Sequence, residues 1–247
     1  PCWRSDFSTH WKLVLTDPTH NEARAVAERY ARRGAADRYS MLNPDVWQSV
    51  QERQRAMLRL FAHLGWRDLA SRRVLEVGCG GGGNLLELLR VGFSPRNLVG
   101  IELLPERFAQ AMQTLPSGVT LMQGDASIVK LPDESEDIVL QSTVFSSLLD
   151  APFQWRLAQT MWRWVRPGGG VLWYDFTANN PRNPDVRGVP LDEVRALFPG
   201  ARMRTQRLTL APPVARAVCR IHPRLYPLLN AVPLLRTHLL AWIEKPP

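Results

Sequence analysis

The chain's 247 residues carry a formal charge of +8, a pI near 10.1 and 45% hydrophobic residues. That apolar share is ordinary for a packed core, which excludes a chain disordered throughout, and the length suits one large α/β domain or two small ones. The charge admits a polyanionic partner, nucleic acid or an anionic membrane face, as readily as a plain basic surface, since the arginines are spread along the chain and not gathered in one run.

Cys2, Cys79 and Cys219 are too few and too scattered for a disulfide framework, and no Cys-x-x-Cys or Cys/His cluster offers zinc spacing. A reducing compartment and no structural metal are expected. The first residues lack the basic-then-apolar order of a signal peptide, and no stretch approaches the roughly 20 uninterrupted apolar residues of a membrane span. The expectation is a cytoplasmic protein, with a peripheral position at the inner membrane face left open.

Residues 1–71 contain no strand runs. Val46, Val50, Met57, Leu58, Phe61 and Leu64 recur at helical spacing with charges between them, which predicts a helical N-terminal cap or lid. Its aromatic residues include Tyr30 and Tyr39, which are candidates for closing over a ligand and equally for packing within the cap. From residue 72 to 247 the pattern changes to short apolar runs, 74–77, 98–101, 119–122, 138–140 and 171–174, separated by helical stretches. Runs apolar on both faces and alternating with helices predict a doubly wound, mostly parallel sheet with helices on either side.

Strand 74–77 runs directly into Gly78-Cys79-Gly80-Gly81-Gly82-Gly83 and then a helical stretch. A β-carbon in such a turn would block close approach of a ligand to the backbone. Alone the turn is ambiguous, because Gly78, Gly80 and Gly83 also satisfy the pattern of NAD and FAD enzymes. Three acidic positions narrow it. Glu76 lies inside the strand before the turn, where it repels a pyrophosphate and suits a cationic ligand. Glu102 ends the second strand, where its two oxygens can accept from hydroxyls. Asp125, in Gly124-Asp125-Ala126, follows the third.

With Glu76, Gly78, Gly80 and Gly82 in this order, the segment from about residue 73 to 175 resembles the class I S-adenosylmethionine-dependent methyltransferases of the bacterial type 11-like group. Further on, Glu136-Asp137 leads the fourth strand, and Arg166-Pro167-Gly168-Gly169 resembles the family's turn into the fifth, where proline and glycines stop a helix and reverse the chain. The resemblance implies a seven-stranded sheet of Rossmann-like fold with the last strand, 239–243, inserted antiparallel. It implies S-adenosyl-L-methionine as cofactor, held by Glu76, Gly78, Gly80, Gly82, Glu102, Leu103, Asp125, Ala126 and Gln141.

Methyl transfer from a sulfonium is an in-line displacement that alignment and desolvation can largely drive. The fourth strand ends Gln141-Ser142-Thr143-Val144-Phe145-Ser146, without the Asn/Asp-Pro-Pro-aromatic motif of amino-methylating nucleic-acid enzymes, and no aspartate set for magnesium stands out. A metal-free reaction at oxygen of a small-molecule, lipid or glycan acceptor is expected. Tyr174 and Asp175, at the end of the fifth strand, are the candidates for the catalytic residue, and Asn180 and Arg182 in the Asn/Pro/Arg loop that follows are candidates for holding the acceptor. An RNA methyltransferase is the rival suggested by the basic charge, and the lack of an attached RNA-binding module weighs against it. A non-catalytic S-adenosylmethionine-binding partner subunit is another. The segment at about 211–236, apolar, interrupted by proline and studded with arginine, suits an anionic membrane, an oligomer interface or its own core.

Overall fold

The computed structural model describes residues 21–32, 39–179 and 183–246. Helices α1 (Asn21–Ala31) and α2 (Pro44–His63) come first, and alternation then runs through β1 (Val74–Val77), α3 (Gly83–Arg90), β2 (Leu98–Glu102), α4 (Pro105–Thr114), β3 (Thr120–Gln123), β4 (Glu136–Ser142), α5 (Ala151–Trp164) and β5 (Val165–Phe176). The chain closes with α6 (Leu191–Leu197), β6 (Arg202–Leu210), α7 (Pro212–Ile221), α8 (Leu225–Asn230) and β7 (Arg236–Glu244).

These strands form one seven-stranded sheet in the order β3-β2-β1-β4-β5-β7-β6. Pairings among β1 to β5 are parallel, and β7 lies antiparallel between β5 and β6. The sheet is thus the one expected, with the antiparallel strand where the resemblance puts it. Strand β5 is longer than the apolar run 171–174. Val165 already pairs with Glu136, a register shift follows, and Gly170 resumes the ladder opposite Ile138. The Pro-Gly turn is therefore a bulge inside a strand, with Gly168 left-handed at φ 75°.

Helix α2 starts with Pro44 at its first positions and ends before Gly65, whose φ of 72° stops it. Met57 and Phe61 of α2, Leu85 and Leu88 of α3 and Ala111 of α4 cover one face of the sheet. Leu157 and Met161 of α5 and Val194 and Leu197 of α6 cover the other, joined by Val26 of α1. Leu58 was expected on the buried stripe of α2 and is instead 42% exposed. At the amino ends of the strands, Asp137 accepts from Arg73 N and the Arg72 guanidinium, both at 2.9 Å, and pairs with Arg166. The acidic pair leading β4 is thus a clamp at the edge opposite the glycine turn.

The segment 211–236 contains two short helices with a small core of their own, made by Leu210, Ala215, Cys219 and Tyr226. It packs on α2 and β6. Glu52 of α2 ties it down, accepting from Tyr226 Oη at 3.0 Å and Asn230 Nδ2 at 2.7 Å.

Candidate functional site

Parallel strands present their carboxyl ends at one edge, and the glycines and carboxylates gather there. Gly78 and Gly80 take φ of 66° and 57°. A β-carbon at Gly78 would meet Val144 Cγ2 at 2.6 Å, and one at Gly80 the Arg107 guanidinium at 2.8 Å. The left-handed torsion demands glycine at both positions, and at Gly78 the space does as well, whereas at Gly80 the neighbour is the tip of a flexible arginine. The turn is tied to β2, since Cys79 N donates to Ile101 O at 3.0 Å and Gly80 N donates to Glu102 Oε2 at 2.7 Å.

Glu76 is fully buried at the end of β1. Its Oε1 accepts from Asn84 Nδ2 at 2.6 Å, while Oε2 has no hydrogen-bond partner among the described residues. Burial pushes its carboxyl up to about 7 against the pull of Asn84 and Arg53. Arg53 reaches in from α2, donating to Asn84 Oδ1 at 2.6 Å and Ser142 Oγ at 3.1 Å and lying over the Tyr174 ring at 5.0 Å. Glu102 also receives Leu104 N on Oε1 at 2.8 Å, so each of its oxygens holds one backbone N–H and keeps a lone pair for another donor. Leu103 packs half-buried beside the core and Ala126 is buried in it. Asp125 accepts from Ser127 N at 2.8 Å, which fixes the loop after β3. Gln141 is buried, with Oε1 taking Val144 N at 3.1 Å and Nε2 without a partner among the described residues.

Every residue expected to hold the cofactor therefore converges on one edge, from the neighbouring strands β2, β1 and β4 and the loop after β3. The set fits an adenosine joined to a positively charged sulfur. A backbone cradle that side chains would fill and an unpartnered buried carboxylate oxygen on Glu76 suit a cationic ligand, and the unpartnered Gln141 Nε2, a donor, suits an acceptor on the same ligand. A pyrophosphate would meet Glu76 and Glu102 with like charge.

At the end of β5 the arrangement is more closed than the sequence suggested. Tyr174 points its hydroxyl to Thr209 Oγ1 at 2.7 Å, and burial raises its pKa. Asp175 is fully buried, accepting from Ser146 N at 3.1 Å and Phe176 N at 3.0 Å, and burial pushes it up to about 7. Its carboxylate holds the 3-10 turn Phe145–Ser147, which follows β4, against the end of β5. His238 of β7 stacks on Tyr174, ring centroids 5.1 Å apart, and burial pushes its pKa down to about 4, so the ring is neutral at ordinary pH.

Helix α1 closes over the same turn. Arg29 donates to Ser147 O at 2.9 Å and pairs with Glu22 at 2.5 Å, and Tyr30 Oη lies 3.4 Å from Ser147 Oγ beneath the Arg107 guanidinium. Tyr30 thus reaches the site, whereas Tyr39 is 74% exposed on the stretch before α2. In the loop after β5, Asn179 Oδ1 accepts from Gly188 N at 2.8 Å and Asn183 Oδ1 from Asp185 N at 3.2 Å; Asn180 and Arg182 lie outside the described residues.

Two side chains at the site, Arg53 and Arg107, went unnoticed in the sequence, and His238 carries no motif there that assigns it a role. Arg53 had a signal, since it occupies the apolar stripe of α2 between Val50 and Met57, where a charge has to find a buried partner. Arg107 and His238 had none, because only the tertiary fold brings α4 over the glycine turn and β7 beside Tyr174.

Residues 74–169 match the family model described as a methyltransferase domain. Among named relatives, the chain is 34% identical over 132 residues to phthiotriol/phenolphthiotriol dimycocerosates methyltransferase 1 of Mycobacterium ulcerans, covering 51% of this chain and 47% of that protein. It is 37% identical over 110 residues to a fatty-acid O-methyltransferase of Mycolicibacterium smegmatis, covering 44% and 38%. The matched segment spans about half the length of these relatives or less. Among solved structures, phospholethanolamine N-methyltransferase 2 of Haemonchus contortus superposes with a TM-score of 0.62 at 16% identity, over 89% of this chain and 60% of the other. An S-adenosylmethionine dependent methyltransferase from Mesorhizobium loti gives 0.55 at 16% identity, over 76% and 98%. At such identities the likeness is one of fold.

Proposed function

This chain carries a class I S-adenosylmethionine-dependent methyltransferase domain, and from that premise we propose that it transfers the methyl group to an oxygen of a lipid acceptor. The observation that carries the cofactor half is the buried Glu76 carboxylate, with one oxygen unpartnered, beside a glycine turn whose Gly80 N–H is held by Glu102. The acceptor half draws support from the relatives, which are named for phthiotriol lipids and fatty acids.

When bound, the sulfonium supplies an activated methyl group that already carries its leaving group. The chain's own part is to hold and orient. With the cofactor bound, Glu76 and the turn from Gly78 to Gly82 would hold its charged end, Glu102 its ribose and Asp125 its base, with Leu103 and Ala126 beside them. The Asp175 hydrogen bond to Ser146 keeps the turn after β4 in place, and α1 seals it through Arg29 and Tyr30, which excludes water from the reaction. Both oxygens of Asp175 are engaged by backbone N–H groups and the Tyr174 hydroxyl by Thr209, so neither is offered as an unoccupied base. An acceptor that needs none fits best: a lipid carboxylate, ionised at neutral pH, is such a nucleophile.

Incubation with methyl-labelled S-adenosylmethionine and three acceptors, a long-chain fatty acid, a long-chain alcohol and bulk RNA, tests this reading. Label is expected in the fatty-acid ester. Label in RNA, or cofactor binding without transfer to any lipid, would overturn it in favour of an RNA enzyme or a non-catalytic subunit.

A further inference from the structure

The chain's positive charge has a location that its even scatter of arginines conceals. From residue 194 to 243 there is no aspartate or glutamate, and eight arginines stand in that stretch. Within it lies the insertion formed by α7, α8 and the 3-10 turn Pro233–Leu235, whose inner side is fixed by its small core and by Glu52. Its outer side is apolar to a degree that folded surfaces seldom show: Leu234 is 88% exposed, Ile221 78%, Leu228 68% and Val232 44%. Arg220 and Arg224, both exposed, flank these tips.

We propose that this insertion docks the protein on an anionic lipid bilayer. Exposed leucine and isoleucine beside arginine, with no carboxylate nearby in sequence to repel a negative surface, is the composition of an interfacial anchor. RNA is the weaker occupant, because single-stranded nucleic acid binds on exposed aromatic rings, and the insertion's only aromatic ring besides His222, that of Tyr226, is buried. Among the described residues no helix is long and apolar enough to cross a membrane.

The position gives the contact a purpose. Strands β5 and β6 both run antiparallel to β7, so they point the same way, and the insertion leaves β6 at the edge where β5 ends. His238, three residues past the insertion, pairs with Phe176 at the end of β5. A bilayer seated on the insertion therefore faces the same edge as the glycine turn. Vesicle binding needs neither donor nor acceptor, so its outcome is separate from that of the lipid-methylation reading.

Sedimentation with phosphatidylcholine vesicles, with and without a quarter phosphatidylglycerol, tests the proposal on the whole chain. Binding is expected to the anionic vesicles, weakening as salt rises. Leu228→Ser with Leu234→Ser should lower it about tenfold or more, since two exposed leucines lose their burial in lipid. Arg220→Gln with Arg224→Gln should lower it severalfold at low salt only. All four side chains are exposed, and unchanged circular dichroism confirms that the variants fold. No binding to either vesicle, binding indifferent to the leucines, RNA retention in place of vesicle binding, or a dimer in gel filtration that the leucine changes dissociate would each overturn it.

Discussion

Glu102→Ala is expected to weaken S-adenosylmethionine binding by about a hundredfold or more, because hydrogen bonds to a charged group contribute roughly 1.5–3 kcal/mol each and the ribose would lose its acceptor. The damage extends further, since Glu102 also fixes the glycine turn through Gly80 N and the start of α4 through Leu104 N. Glu102→Gln is the milder change. Its amide oxygen keeps one backbone N–H and can still accept from a hydroxyl, whereas its amino group can accept neither the other backbone N–H nor a hydroxyl, so the variant should bind with intermediate weakness. Calorimetry with S-adenosylhomocysteine measures both variants, and affinity unchanged in Glu102→Ala would remove this residue from the site.

Glu76 sets the second large effect, and its sign follows from burial. Desolvation holds its carboxyl at about 7 in the ligand-free protein, so near neutrality a substantial fraction is protonated. A ligand with an ammonium and a sulfonium favours the ionised form, so binding releases a proton and affinity rises as pH rises. The wild-type dissociation constant should therefore fall between about pH 6 and 8 and level off above. Glu76→Gln should bind about a hundredfold more weakly at pH 8, the upper range for a lost charge-assisted contact, and show no such rise. A flat profile in the wild type, or a rise retained in Glu76→Gln, would detach the titration from this carboxylate.

The fold was legible because its signals are local. An apolar run, a glycine turn and a helical stretch are neighbours in sequence, and their repetition in order leaves little choice of topology. That the candidate cofactor residues meet at one edge was legible for the same reason: Glu76, Glu102 and Asp125 each lie at or just past a strand end, and in a parallel sheet those ends meet. What faces the acceptor was less visible, because there the partners come from afar. Asp175 looked like an open carboxylate until the fold brought Ser146 N to it across 29 positions. Tyr174 acquired a partner in Thr209, whose left-handed φ of 65° gives no sign in composition. Arg53 marks the boundary between the two cases, since a charge on the apolar stripe of α2 announced a buried partner without naming Asn84 or Ser142.

All of this depends on recognition of an adenosyl sulfonium, and not of a dinucleotide, by the carboxylates beside the Gly78–Gly82 turn. Parallel calorimetric titrations of the wild-type chain with S-adenosylmethionine and with NAD test it most directly. One saturable site for S-adenosylmethionine and none for NAD is the predicted result; saturable heat with NAD, or none with S-adenosylmethionine up to millimolar concentration, would contradict it.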